Sequence, residues 1–370
     1  MNSASRLSKE SGLTDTPLRL IHFHFGKEGG AERFFVKLAQ ALDRRGVEQR
    51  FIIRPGRSWD GEIAPLGPVI RNNFSVLSPM TPLLHLQAER WVRTWKPHAV
   101  MAWMPRASRL IHRWPGVVKL ARMGDFPANL KHFGNCDVLV GNVPGIARRC
   151  VELGWNRPAV TITNFTPQVA VRPVSRALHD TPEDAFLVVA GGRFQPRKAL
   201  DMAIRAIARI PGAWLWLIGE GKLRGEYEAL AAQLGVADRV RFIGWVPEPV
   251  HHIAAADVFL MPSRHEPLGN ILLEAWQAGV PSVSTRTDGP SWYMRDGVDG
   301  LMADIDDDAQ IAEALVRMRD DPAAARRYAE NARQRLDDFM SEDAVCNDYL
   351  RLFRGDLDLN GAAVPASSKV

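Results

Sequence analysis

Residues 263–285 read SRHEPLGNILLEAWQAGVPSVST and continue an apolar run, DVFLMPS, that ends at Ser263. The order is a buried strand, a short loop, an apolar helix and a second strand, which is one βα unit of a parallel sheet. Open sheets of this kind bind ligands beyond the carboxyl ends of their strands. Glu266 and Asn270 follow such a strand end, so we expect a ligand there, with Asn270 capping the helix.

The loop favours an anionic group next to sugar hydroxyls. The first turn of the helix presents unpaired N–H groups and the positive end of a dipole, and Gly269 lets a ligand approach the backbone. A carboxylate repels phosphate, so Glu266 and Glu274 suit hydroxyl groups, and Glu266 also suits a developing cationic carbon. A polyhydroxylated, diphosphorylated ligand fits both features. The alternative is that both glutamates are ordinary solvated charges.

A second loop carries the positive charge that such a ligand needs. GGRFQPRKALDMAIRAI, residues 191–207, begins at the end of the strand-like run FLVVAGG and continues into a helix. Arg193 offers a planar fork of donors and Lys198 a point charge, so together they can clamp a diphosphate. The alternative is a solvated basic turn, which loops before helices often contain.

The same alternation of strand and helix runs through the whole chain and predicts two parallel sheets. Strand-like runs in the front half are LRLIHFHF, RFIIRP, HAVMAWM, VVKLARM, DVLVGN and AVTITNF, and those in the back half are FLVVAGG, AWLWLIG, RVRFIGW, DVFLMPS and PSVST. A stretch rich in proline and polar residues separates the two series. The predicted organisation is a mobile tail at 1–16, a first domain at 17–170, a linker at 171–184, a second domain at 185–340, a helix at 341–355 that docks back towards the first domain, and a mobile tail at 356–370.

Length and composition fit an ordinary globular chain with two domains. The chain has 370 residues, of which 46% are apolar and 24% charged. Its three cysteines are too few and too far apart for a disulfide framework or a zinc site. No apolar run reaches the roughly 18 residues of a membrane-spanning helix, so we expect a cytoplasmic protein.

Four segments together resemble the retaining family 4 glycosyltransferases, which have the GT-B fold. They are GGAER at 29–33, GRFQPRK at 192–198, LIGEGKLRGEYEALAAQLGVADRVRFIGWV at 217–246 and the stretch at 263–285. The resemblance implies two Rossmann-like domains that face each other across a cleft, with the acceptor bound by the first and the nucleotide-sugar by the second. It also implies an enzyme of the hexosyltransferase type, which moves a sugar to a hydroxyl of a saccharide.

By this resemblance the diphosphate of the donor is held in three ways. Arg193 and Lys198 bind it, and the loop at Gly29 and Gly30 closes over it. The backbone amides of Leu268, Gly269 and Asn270 cap it. Because these groups neutralise the leaving diphosphate, we expect neither a metal nor a cofactor beyond the nucleotide-sugar itself.

The resemblance also assigns the remaining parts of the donor. Glu274 binds the ribose, and Trp245 and Val246 lie near the base. Glu266 faces the transferred sugar as a stabiliser rather than necessarily a base, because the acceptor attacks on the face that the diphosphate vacates.

Three positions depart from the family's pattern. Ala199 stands after the lysine where the family usually has glycine, and the segment DGPSWYM contains Trp292 in the neighbourhood of an acidic residue that the family often has. The first domain often supplies a histidine at the end of a central strand, where this chain has Asp125. Asp125 is therefore a further catalytic candidate.

Charge and tryptophan indicate the kind of acceptor. Residues 1–176 contain 26 Lys and Arg against 12 Asp and Glu, whereas the remainder is acidic. Within 85–116, four tryptophans alternate with arginines, a pattern typical of membrane interfaces and of sugar binding. We expect an anionic lipid-linked saccharide or lipopolysaccharide core as the acceptor, with peripheral contact at the inner face of the cytoplasmic membrane. The alternative is that Trp95 and Trp103 are core residues. No nucleic-acid-binding signature is present.

Other functions share this architecture. A nucleotide-sugar isomerase or hydrolase and a catalytically decayed nucleotide-binding partner protein remain alternatives. A nicotinamide dehydrogenase is disfavoured, because Gly219, Gly221 and Gly225 do not have the spacing of its fingerprint. His22 and His24 flank Phe23 in a strand and are interpreted as structural.

Overall fold

The computed structural model describes residues 17–27, 29–72 and 80–357. The predicted mobile tails lie outside this part of the chain, except for residues 356 and 357. The first sheet has seven parallel strands in the order β3-β2-β1-β4-β5-β6-β7. Their bounds are β1 Arg19–His24, β2 Glu48–Ile53, β3 Val69–Arg71, β4 Ala99–Trp103, β5 Val118–Met123, β6 Val138–Gly141 and β7 Ala159–Thr161.

The second sheet has six parallel strands in the order β10-β9-β8-β11-β12-β13. Their bounds are β8 Leu187–Gly191, β9 Trp214–Ile218, β10 Val240–Gly244, β11 Val258–Met261, β12 Ser282–Thr285 and β13 Leu301–Ala303. β8 and β11 are neighbours at the centre, where the strand order reverses. The prediction of two Rossmann-like parallel sheets is confirmed.

Helices cover the faces of both sheets. In the first domain they are α1 Gly30–Asp43, α2 Asp60–Ile63, α3 Thr81–Trp95, α4 Met104–Ala107 and α5 Pro144–Glu152. The later helices are α6 Leu200–Ala208, α7 Arg224–Gln233, α8 Val250–Ile253, α9 Asn270–Gln277, α10 Asp288–Tyr293, α11 Asp308–Asp320, α12 Pro322–Phe339 and α13 Glu342–Phe353. Short 3₁₀ turns lie at Ala64–Leu66, Ser108–Leu110, Arg176–His179, Pro196–Lys198 and Ala237–Arg239. None of the helices in the described part of the chain is both long and apolar enough to cross a membrane.

The core of the first domain contains a cluster of aromatic and histidine rings. His22 and His24 are fully buried in β1. The indole N–H of Trp103 donates to Nδ1 of His22 (3.2 Å), so the other ring nitrogen of His22 carries the proton that bonds Gln49 (3.0 Å). Burial lowers the pKa of His22 to about 4 and that of His24 to about 3. Both histidines are therefore neutral core residues, and Trp103 is one as well.

The last helix packs on the first domain, although it follows the second domain in sequence. Ser341 caps α13 by accepting a hydrogen bond from the backbone N–H of Ala344. The apolar face of α13 is buried in the first domain's core, and the hydroxyl of Tyr349 accepts a hydrogen bond from Nε of Arg122 (2.8 Å). At the start of the helix, Glu342 pairs with Arg44 and Arg45, which directly follow α1. The chain thus crosses from the second domain back to the first.

Candidate active site

Two main-chain hydrogen bonds join the loops that follow β8 and β11. The backbone N–H groups of Arg264 and His265 both donate to the carbonyl oxygen of Arg197, at 2.9 and 3.2 Å. β8 and β11 are adjacent in the sheet, so both loops leave the same edge. The residues that follow these hydrogen-bonded positions, Lys198 and Glu266, are brought face to face.

Lys198 and Glu266 form an ion pair that is largely removed from water. Nζ of Lys198 contacts Oε2 of Glu266, and their side chains are only 17% and 10% exposed. The hydroxyl of Ser263 donates to the same carboxylate oxygen at 3.4 Å. The sequence assigned these two residues to different parts of the donor, the diphosphate and the sugar. Because Lys198 and Glu266 are in contact, a change in the charge of either side chain alters the preferred position of the other.

Gly269, not Asn270, caps α9, so the predicted cap is wrong. Gly269 has φ 91° and ψ 58°, a left-handed conformation that favours glycine, and a Cβ there would lie 2.9 Å from the Cε of Met261. Asn270 is the first helical residue, and its side chain binds the first domain instead: it accepts from Nδ2 of Asn164 (2.6 Å) and donates to the carbonyl of Gly30 (3.4 Å). Gly269 has no side chain to cap the helix, which leaves its first turn suited to an anion.

The glycine loop of the first domain lies against the second domain at this point. A Cβ on Gly30 would sit 2.8 Å from Nδ2 of Asn270, and one on Gly29 would sit 3.8 Å from Nη2 of Arg193. The structure therefore brings Gly29, Gly30, Arg193 and Asn270 together across the cleft. A side chain at residue 30 would displace the amide of Asn270 from its present position.

Asp125 reaches the same cleft from the end of β5. Its carboxylate lies 3.0 Å from Nε2 of His265 and 3.4 Å from Nη1 of Arg197, and all three side chains are partly exposed. His265 precedes Glu266, and Arg197 precedes Lys198, so Asp125 borders the buried pair. The sequence analysis did not identify His265 or Arg197, although both are adjacent to predicted site residues.

Glu274 has a partner that the sequence analysis also missed. Nζ of Lys37, in α1 of the first domain, lies 3.6 Å from its carboxylate. Burial raises the pKa of Glu274, and the charge of Lys37 partly opposes that rise. The available signal was spacing, because Lys37 lies two turns after Gly30 on the helix that the glycine loop begins.

Trp245 and Val246 lie apart from the carboxylates. They follow β10, the edge strand, which is separated from β8 by β9. Trp245 is 72% exposed, whereas Val246 packs against the apolar core. An exposed aromatic ring at a strand end suits stacking on a base, and that role stays a prediction.

Two positions that depart from the family's pattern have clear local structures. Ala199 is buried and has φ 49° and ψ 39°, a left-handed conformation that glycine adopts without strain. Trp292 packs edge-on against Tyr293, with ring centroids 6.1 Å apart. The Tyr293 hydroxyl donates to the carbonyl of Leu268 at 2.9 Å, so these rings support the loop before α9.

Comparison with known proteins supports the resemblance. The family model described as "Glycosyl transferases group 1" matches residues 171–335. The lipopolysaccharide core biosynthesis glycosyltransferase LpsE of Rhizobium meliloti is 47% identical over 90% of this chain and 98% of its own length, and LpsD of the same organism is 42% identical over 91% and 98%. The crystal structure of Anabaena Alr3699/HepE in complex with UDP has a TM-score of 0.78 at 16% identity, over 91% of this chain and 100% of that one. These matches confirm the resemblance and the GT-B fold, while the roles of individual site residues stay predictions.

The left-handed conformation of Ala199 gives a test of local strain. A non-glycine residue in this conformation costs roughly 1–2 kcal/mol, which offsets the methyl burial that glycine loses. We expect Ala199→Gly to leave the free energy of unfolding unchanged or to raise it by up to about 1 kcal/mol. The control, Ala203→Gly, removes an equally buried methyl within α6 and should lower it by about 1–2 kcal/mol. Equal losses in urea unfolding would show that residue 199 is unstrained.

The raised pKa of Glu274 predicts a pH dependence of nucleotide affinity. As pH falls, a carboxyl with a raised pKa gains its proton earlier than an ordinary glutamate and then accepts ribose hydroxyls less well. Over the pH range in which Glu274 gains its proton, nucleoside diphosphate affinity, measured by calorimetry, should fall. The fall should be smaller in Glu274→Gln. Lys37→Ala should move the fall to higher pH. The diphosphate's own titration is common to all three proteins, so identical profiles would remove Glu274 from the ribose site.

Proposed function

We propose that this chain, which belongs to the glycosyl transferases group 1 family and is a glycosyltransferase, transfers the sugar of a nucleoside-diphosphate sugar to a saccharide hydroxyl. The configuration at the anomeric carbon is retained. The observation that carries the proposal is the convergence of Arg193, the buried Lys198–Glu266 pair and the start of α9 beneath the glycine loop of the first domain. Cations and helix amides on one side of a carboxylate suit a ligand with a diphosphate joined to a sugar.

The diphosphate is stabilised as it leaves by groups of the protein. Arg193 and Lys198 supply positive charge, and the amides of the first turn of α9 supply oriented dipoles. Lys198 contacts Glu266, so a bound diphosphate shares the positive charge of the Lys198 ammonium with the Glu266 carboxylate. The proposed reaction therefore uses no divalent metal and no cofactor.

Glu266 lies on the sugar side of this charge system. As the bond from the anomeric carbon to the diphosphate breaks, positive charge develops on the sugar, and a carboxylate held within the site stabilises it. The acceptor oxygen then bonds to the anomeric carbon on the same face, and its hydroxyl proton passes to the departing diphosphate oxygen. Asp125 borders the pair from the first domain, beside His265, and is proposed to orient the acceptor hydroxyl.

The acceptor is proposed to be an anionic glycan of the cell envelope. LpsE and LpsD, which share 47% and 42% identity with this chain, are named as lipopolysaccharide core biosynthesis glycosyltransferases. The excess of Lys and Arg in residues 1–176 suits an anionic acceptor borne by a membrane. We place the enzyme at the inner face of the cytoplasmic membrane. Because HepE was solved with UDP, uridine diphosphate is the first donor class to test.

Two substitutions separate the proposed roles of the ion pair. Glu266→Gln keeps the shape of the side chain but removes its charge, so transfer should fall on the order of 100-fold or more while nucleotide affinity is retained. Lys198→Ala should lower both, because it removes a diphosphate contact and leaves a buried carboxylate unpaired. Labelled sugar transfer to a deacylated lipopolysaccharide core measures the first quantity and calorimetry the second.

Glu313→Gln, an exposed substitution on α11, is the matched control and should behave as the unaltered protein. Full transfer activity in Glu266→Gln or Lys198→Ala would overturn the assignment of the site. Rapid release of free sugar without an acceptor would favour a hydrolase. Nucleotide binding without transfer to any acceptor would favour a decayed partner protein.

A further inference from the structure

The outward face of α3 exposes large apolar side chains at its beginning. Leu83 and Leu86 are 43% and 67% exposed, and Met80, immediately before the helix, is 47% exposed. Leu83 and Leu86 are three residues apart, so they lie on one side of the helix. Apolar side chains grouped on an exposed surface indicate a binding site more often than single ones do.

The exposed leucines do not belong to the face of α3 that packs on the sheet. The opposite face of α3 holds Leu84, Ala88 and Val92, which are buried in the core of the first domain with residues of β1 and β4. The helix is thus anchored on the sheet by one apolar face and presents a second apolar group to the solvent.

Basic residues continue the same outward face towards the end of the helix. Arg90 and Arg93 lie seven and ten residues after Leu83, and Lys96 follows directly after the helix; all three are exposed. The one acidic residue within α3 is Glu89, whose carboxylate is already engaged by Arg93 (2.7 Å) and by the indole N–H of Trp114 (2.6 Å). The unbalanced charge on this face is therefore positive.

The half-buried tryptophans of α3 lie at the side of this face. The guanidinium of Arg50 stacks over Trp95 at 4.4 Å and over Trp91 at 5.2 Å. These rings are already covered by a cation, which fixes the end of α3 against the sheet. The exposed leucines, rather than the tryptophans, are the apolar groups available to a partner.

The apolar end of α3 lies on the cleft side of the first domain. β3 ends at Arg71, at the same carboxyl edge from which the glycine loop and Asp125 project. The side chain of Arg19, the first residue of β1, donates to the carbonyl of Trp95, the last residue of α3 (3.1 Å), so the helix ends at the amino edge of the sheet and begins towards the carboxyl edge. A surface that engages Leu83 and Leu86 is consequently on the side of the first domain from which the glycine loop and Asp125 project.

We propose that the outward face of α3 docks on an anionic phospholipid bilayer. Leu83 and Leu86 enter the interface, while Arg90, Arg93 and Lys96 contact headgroup phosphates through long side chains that keep their charge in water. The proposal rests on the proposed function only in its choice of a membrane-borne acceptor. It names the part of the first domain that brings the cleft to that acceptor.

Vesicle sedimentation tests this surface. The full chain is mixed with phosphatidylcholine vesicles with and without phosphatidylglycerol, at low and high salt. We expect binding that requires phosphatidylglycerol and weakens with salt. The pairs Leu83→Asn with Leu86→Asn and Arg90→Gln with Arg93→Gln should each lower vesicle affinity roughly tenfold or more. The control pair, Arg326→Gln with Arg327→Gln, removes the same charge from an exposed part of α12 and should have little effect.

The outcomes distinguish this surface from the active site. Equal recovery of the unaltered chain with and without lipid, or unchanged binding in the leucine pair, would overturn the proposal. Unchanged thermal midpoints and nucleoside diphosphate binding in the variants would show that only the docking face was altered. If nucleoside diphosphates fail to bind while vesicle binding follows the predicted pattern, the proposed function fails and the docking surface stands.

Discussion

The carbonyl oxygen of Arg197 accepts hydrogen bonds from the backbone N–H groups of Arg264 and His265, and the candidate site depends on this junction. It fixes the loop after β8 to the loop after β11, so the side chains that follow, Lys198 and Glu266, must share a small volume. Their opposite charges make that burial tolerable, because an unpaired charge there would be strongly destabilising. A main-chain contact thus determines where the reactive charges lie.

The second domain does not complete the cleft alone. Asn270 binds the carbonyl of Gly30, Glu274 faces Lys37, and His265 faces Asp125. Each of these contacts joins a residue at the carboxyl edge of the second sheet to one from the first domain. Any change in the angle between the domains therefore alters the surroundings of the proposed ribose and diphosphate sites together. Affinity for the donor and the arrangement of the acceptor side are coupled through these contacts.

The fold was predictable from the sequence because long apolar runs alternate with helical ones in both halves. β3 and β13 were missed because each has only three residues and neither lies in a longer strand-like run, as β7 lies in AVTITNF. The cap of α9 was predicted wrongly because the side chain of Asn270 is used by the other domain, which local pattern cannot show. Motifs identified Lys198 and Glu266, but their contact with each other and the partner of Glu274 arise only from tertiary packing.

The most direct test of a metal-independent diphosphate site is thermal stabilisation by nucleoside diphosphates in the presence of a chelator. A ligand that binds the folded chain stabilises it by about 2.7 kcal/mol at 100 times its dissociation constant. We expect a clear rise in the midpoint of unfolding with one of UDP, GDP or ADP, and none with CMP, which lacks a diphosphate, while chelator is present. A rise that appears only when a divalent metal replaces the chelator, or no rise with any nucleotide, would contradict it.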